Sequence, residues 1–204
     1  MSEEVVNSSE VTDEKIVRSS WDELFMKMAD QAVARSACIH YPIGSIFVDK
    51  ERHIIGFGYS GPSKGDFDCA EAGYCLKVDG DPLTGEIKRC NGAHAEMNAI
   101  ANCADTSKLK GSTLYNTIFP CYDCMKILNN VGVSRIVYRH EYRRMVDGKK
   151  GEREEREQEA VDLAAKRGII IDKYDTTDEH KIKHGKKLKE TQEQIKNIEE
   201  NTKW

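Results

Sequence analysis

The stretch NGAHAEMNAI, residues 91–100, sets His94 and Glu96 two positions apart at what reads as the start of a helix. Further along, FPCYDC places Cys121 and Cys124 in a C-x-x-C pair directly after Pro120, where strand-like sequence gives way to helix-like sequence. Exposed backbone N–H groups and the helix dipole favour thiolates at such a start. If the two helix N-termini lie side by side, His94, Cys121 and Cys124 supply three zinc ligands and leave a fourth position open to water. Zinc lowers the pKa of a bound water from about 16 to about 7. A carbonyl-forming hydrolysis also needs protons carried from that water to a leaving nitrogen, and Glu96, beside the metal and not on it, is suited to carry them. Taken singly, each motif has a plainer reading. A histidine at a helix start is usually a cap or a core residue, and a C-x-x-C pair also serves redox chemistry or structural zinc. A purely structural zinc site wants four protein ligands and has no use for a poised carboxylate.

These residues need elements to hold them. SWDE is a capping box with Ser20 as N-cap and Glu23 three residues later. Trp21, Leu24, Phe25, Met28 and Ala32 follow at helical spacing, which predicts a helix to about Ala37. IGSIFVD (43–49) and HIIGFGY (53–59), joined by a short charged stretch, predict a hairpin. Residues 60–92, rich in Gly, Asp and Cys, predict a long loop. An alternation follows: helix from about His94 to Cys103, strand 112–119, helix 121–131, strand 134–138, helix 152–167 and strand 168–174. That order implies an α/β layered fold whose later strands are parallel. The division expected is an acidic flexible arm over 1–18, a zinc-dependent domain over 19–174 and a charged C-terminal tail over 175–204.

Composition narrows the partners. A chain of 204 residues, 39% apolar, can bury one substantial core. It has no apolar run of membrane-spanning length, and its N-terminus is acidic where a signal peptide is basic and then apolar, which predicts a cytoplasmic protein with no membrane partner. The net charge of −4 and the lack of a basic stripe disfavour nucleic acid and favour a small molecule. Seven cysteines in a reducing compartment are metal ligands, nucleophiles or core residues more often than disulfides.

The pattern H-x-E followed by P-C-x-x-C matches the signature of the zinc nucleobase deaminases. With the segment from Ser20 to Cys75, RCNGAHAEMNAI, FPCYDC and VGVSRIVYRHEY, the chain resembles the deoxycytidylate (dCMP) deaminase family over roughly Ser20 to Tyr174. The resemblance implies a three-layer α/β/α cytidine-deaminase-like fold with a central mixed sheet, and hydrolysis of dCMP to dUMP and ammonia. It also implies a catalytic zinc on His94, Cys121 and Cys124, with Glu96 as proton shuttle. Ala95 is expected to offer backbone contacts to the pyrimidine, Phe119 an apolar wall, and Tyr142 a contact near the sugar-phosphate end. A homo-oligomer and a nucleotide effector are the further partners it implies. Other small cytosine compounds or aminated heterocycles are the alternative substrates, and a zinc-stabilised binding protein without turnover is the alternative class.

Three positions depart from the family pattern. Ser60, in GYSG, stands where an asparagine is expected to hold the sugar hydroxyl; Asn91 stands where relatives often carry arginine; and CIHYPIG lacks a basic pair, leaving His40 as its candidate cation. The remaining cysteines suggest a second metal. The hairpin returns the chain beside Cys38, the long loop carries Cys69 and Cys75, and it closes at Cys90. A loop of that length is hard to order by packing alone. Relatives carry cysteines at these four places, and a structural zinc on Cys38, Cys69, Cys75 and Cys90 is therefore expected beside the catalytic one. Cys103 is expected to be an ordinary buried residue.

Overall fold

The computed structural model describes residues 18–142, 145–146, 149–150 and 155–175. The acidic arm, apart from residue 18, and the charged tail beyond 175 fall outside the described residues, as does the expected start of the last helix. Helix α1 (Trp21–Val33) begins as its capping sequence requires, with the Glu23 amide donating to Ser20 Oγ at 3.1 Å. It ends earlier than the expected Ala37. The Ala37 amide donates to the Ser60 carbonyl, and the Ser36 hydroxyl bonds to the same residue, so the chain leaves the helix to pair with a segment 24 positions away.

Strands β1 (Gly44–Val48) and β2 (Ile54–Tyr59) form the predicted antiparallel hairpin. The loop after it is not structureless. It contains β3 (Gly61–Pro62), helix α2 (Cys69–Ala72) and β4 (Gly92–Ala93), and β3 pairs with β4 to close it at its neck. Asp68 caps α2 by accepting from the Ala70 and Glu71 amides, and Asp79 accepts from the Cys75 amide. Aspartates bonding nearby backbone N–H groups thus fold this segment, a local chemistry that leaves no periodic trace in sequence.

The alternation that follows is α3 (Ala95–Ala101), β5 (Thr113–Ile118), α4 (Tyr122–Val131), β6 (Arg135–His140), a two-residue pair β7 (Met145–Val146) and β8 (Lys149–Lys150), α5 (Glu155–Arg167) and β9 (Ile170–Lys173). The sheet order is β2-β1-β5-β6-β9, with β1 antiparallel to both neighbours and β5, β6 and β9 parallel. Side chains alternate across it. Ile46, Tyr115 and Val137 meet Phe25, Met26 and Ala29 of α1, whereas Phe47, Leu114 and Ile136 meet Ala99 of α3, Met125 and Leu128 of α4 and Ala160 and Ala164 of α5. The result is a three-layer α/β/α fold with a mixed central sheet, as expected. No helix among the described residues is long and apolar enough to cross a membrane.

Two glycines let the helices approach the sheet. A methyl group at Gly44 would collide with the Ala29 carbonyl of α1, and one at Gly58 with the Ala99 nitrogen and Ala95 carbonyl of α3. Asn98 of α3 and its C-cap residue Asn102 then donate to the Tyr59 and Phe57 carbonyls of β2 at 2.8 and 3.0 Å. Helix α3 is thereby seated on the edge strand with its N-terminus fixed.

On the opposite face, the Arg135 guanidinium forks onto both Asp22 oxygens at 2.7 and 2.8 Å and bonds Asp172 at 2.6 Å, tying α1 to β6 and β9. Arg135 holds the Asp22 carboxyl below its usual pKa. A carboxylate with a depressed folded-state pKa contributes stability above its unfolded pKa and loses it as pH falls through the folded value. Asp22→Asn should therefore cost about 1 kcal/mol at neutral pH, a figure reduced for the pair's partial exposure. The gap from wild type should shrink below about pH 4, and urea unfolding at two pH values measures it; a gap independent of pH contradicts the ion-pair account.

Candidate active site

His94 and Cys121 are the N-cap residues of α3 and α4, both with extended backbone and neither making a side-chain capping bond. Helix starts usually place Ser, Thr, Asp or Asn there. Here both side chains are left free to meet. His94 Nδ1 lies 3.2 Å from Cys124 Sγ and 3.4 Å from Cys121 Sγ, and the three ligand atoms lie within 4.8 Å of one another. Because His94 precedes the helix and Glu96 stands in its first turn, their spacing of two does not send them to opposite faces.

The electrostatics of this cluster suit a cation. Hydrogen bonds from Cys124 and then His94 pull the Cys121 thiol down to about 4, while the same Cys121 contact raises the Cys124 thiol. The Cys121 hydrogen bond raises His94 to about 9. Two sulfurs side by side do not both ionise unless a positive charge compensates them. Two thiolates and a neutral imidazole are a zinc donor set, and a divalent ion bound there would replace the protons the cluster otherwise retains.

Glu96 is 3% exposed. Burial, followed by the charge on Cys121, raises its carboxyl pKa. Its Oε1 accepts a 2.8 Å bond from Asn116, whereas Oε2 is buried and has no hydrogen-bond partner among the described residues. A buried carboxylate oxygen without a partner costs stability and marks a place where a water or ligand belongs. Glu96, His94 and Cys121 line a cavity of about 450 Å³, large enough for a nucleotide base and sugar.

The other expected site residues are distributed unevenly around it. Phe119, edge-on to Tyr138, and Tyr142, stacked on Tyr41, both line the cavity. Ala95 is fully buried between His94 and Glu96, which line the cavity, and does not itself line it. Ser60 lines the cavity, but its hydroxyl donates to the Tyr41 carbonyl at 2.6 Å, accepts from the Ile43 amide at 3.0 Å and meets the Ser36 hydroxyl at 2.8 Å. That oxygen is spent on the chain itself. Asn91 does not line the cavity: its amide donates to the Phe67 carbonyl and pins the long loop.

Cys38 and the three loop cysteines gather at one rim. Cys38, Cys75 and Cys90 line the cavity, Cys38 Sγ accepts from the Tyr41 amide, and burial followed by Cys75, Cys38 and Cys90 pushes the Cys69 thiol to about 11. Among the described residues they do not close into one donor set within 4.8 Å, as the His94 group does. Cys103 is buried against the core and donates to the Asp105 carbonyl. Two features of the site escaped the sequence reading. Lys77 lines the wall from the long loop, and Asn116, a polar residue inside the apolar run TLYNTI, holds Glu96. Only the second left a signal, an amide where a buried strand should be apolar.

The zinc-binding region of cytidine and deoxycytidylate deaminases matches residues 19–140. The deoxycytidylate deaminase of Mycobacterium phage D29 is 37% identical over 124 residues, covering 59% of this chain and 95% of the phage protein. That of Saccharomyces cerevisiae is 29% identical over 167 residues, covering 82% of this chain, which spans about half (49%) of the yeast protein's length. The dCMP deaminase of cyanophage S-TIM5, solved with dCMP and dUMP, superposes with a TM-score of 0.56 at 25% identity, covering 78% of this chain and all of the phage chain.

Proposed function

Because the chain belongs to the cytidine and deoxycytidylate deaminase zinc-binding family, we propose that it hydrolyses the 4-amino group of dCMP, giving dUMP and ammonia. The observation that carries this reading is the buried, unpartnered Oε2 of Glu96 beside three convergent zinc donors at the wall of a nucleotide-sized cavity. Zinc on His94, Cys121 and Cys124 would acidify a water at its open position and so supply the nucleophile. The reaction forms a C4–O bond and breaks the C4–N bond; of water's two protons, one ends on ring N3 and the other on the departing nitrogen. Glu96 is the only carboxylate among the described residues lining the cavity, so both transfers fall to it.

Phe119 walls the base. Ala95 offers the pyrimidine an N–H at a helix position where no helical carbonyl can take it. Tyr142, stacked on Tyr41, borders the sugar-phosphate end, and Lys77 brings an ammonium and His40 an imidazole to the same cavity. Ser60 is left out, its hydroxyl being committed elsewhere. Ammonia release from dCMP, dCTP, deoxycytidine, CMP and cytosine tests the assignment. The kcat/KM for dCMP should exceed that for deoxycytidine by about 100-fold, because a bound phosphate contributes orientation as well as affinity. Lys77→Met should narrow that gap. Equal efficiency for both substrates moves the reading to a nucleoside deaminase.

A second zinc on Cys38, Cys69, Cys75 and Cys90 is part of the proposal. Cys75, Cys38 and Cys90 lie near enough to Cys69 to act on its thiol, and structural zinc can contribute on the order of 10 kcal/mol to ordering such a loop. Metal analysis of the pure protein should find two zinc ions per chain, falling to one in Cys69→Ser. One ion per chain, unchanged by that substitution, rules the second site out.

A further inference from the structure

Strand β5 carries Asn116 fully buried on the face of the sheet that also bears Leu114, the face covered by α3 and α4. Its partners determine its orientation. The Ile118 carbonyl can only accept, so the amide end lies 2.7 Å from it, and the second hydrogen of the same –NH₂ goes to Glu96 Oε1 at 2.8 Å. The Oδ1 end receives the hydroxyl of Ser45, its cross-strand neighbour on β1. Turning the amide over would set its oxygen against the Ile118 carbonyl and the Glu96 carboxylate, losing two bonds at a fully buried residue; the Ser45 hydroxyl alone could adapt, because it can also accept.

The consequence reaches Glu96. An oxygen that accepts from Asn116 cannot at the same time present a proton to it, so a proton held by this carboxyl resides on Oε2. Among the described residues Oε2 has no hydrogen-bond partner. We propose that Asn116, locked by Ser45 and Ile118, is a positioning residue that dedicates Oε1 to anchoring and Oε2 to proton transfer. The proposal rests on Glu96 as the proton carrier of the reaction proposed above. It assigns to two sheet residues, neither of which lines the cavity, the task of setting the direction of that transfer.

Asn116→Val suits a buried strand and removes the donor. It should lower kcat by about 10- to 100-fold while KM for dCMP, the affinity for dUMP and the zinc content stay within about 3-fold of wild type, the range expected when a proton-transfer group loses its alignment. Ser45→Ala, which loosens Asn116 without removing it, should lower kcat by about 3- to 10-fold with the same split, and supplies the test if Asn116→Val does not fold. Because Asn116 acts through Glu96, adding Asn116→Val to Glu96→Gln should cause no further fall in residual turnover. Three results overturn the proposal: kcat unchanged in both variants; a further fall of equal size in the Glu96→Gln background; or loss of kcat together with dUMP affinity or zinc. Substantial turnover by Glu96→Gln alone removes the proton-carrier reading itself, whereas an inactive Glu96→Gln beside an unaffected Asn116→Val removes only this inference.

Discussion

Glu96→Gln should abolish deamination, lowering kcat by about 1,000-fold or more, with the zinc content unchanged. The amide matches the carboxylate in size, and its oxygen can still accept from Asn116, so the substitution removes proton transfer and little else. His94→Ala should lose zinc and turnover together, because it removes one of three donors. The contrast separates a residue that holds the metal from one that moves protons beside it. Ammonia release and zinc content measured on the same preparations decide the matter, and substantial turnover by the glutamine variant would sink the mechanism.

The second large effect is expected at Gly58, which touches no substrate in the proposed reaction. An added methyl meets the backbone of α3 at Ala95 and Ala99, and backbone cannot swing aside as a side chain can. Overpacking of this kind typically costs about 1 to 3 kcal/mol. It must also lift the N-terminal turn of α3, where His94 and Glu96 stand, and a displacement near 1 Å at reacting groups can cost about 100-fold in rate. Gly44→Ala is the control. Its methyl meets the Ala29 carbonyl of α1 on the opposite face of the sheet, so it should lose comparable stability while kcat, measured well below its unfolding temperature, stays close to wild type. Equal losses of kcat in both variants, or none in Gly58→Ala, would show that the close α3–β2 contact does not position the site.

Some features were legible because their causes are local. Ser20 and Glu23 announce the start of α1 within four residues, and the alternation of helical and strand-like stretches after residue 94 determines the layered order, since parallel neighbours require crossovers. The His94, Cys121 and Cys124 donors were readable because each sits at a helix start that its own neighbours define. The segment 60–92 was less legible. Its order comes from aspartate side chains bonding nearby amides and from the pairing of Gly61 with Ala93 across the whole loop, and neither is periodic.

What the sequence by itself determined is therefore the chemistry available and the elements that carry it: three soft donors, one carboxylate and the strand and helix starts that present them. The tertiary structure decided how polar groups are shared out. It consumed the Ser60 hydroxyl in bonds to Tyr41, Ile43 and Ser36, brought Lys77 from the loop to the cavity wall, and joined Asn116 to Glu96 across 20 positions of sequence. A hydroxyl or amide has few bonds to give, and whether it gives them to its own chain or leaves them for a ligand depends on which distant strand lies beside it. That register is set by packing across the sheet, where a shift of one residue turns every side chain to the other face.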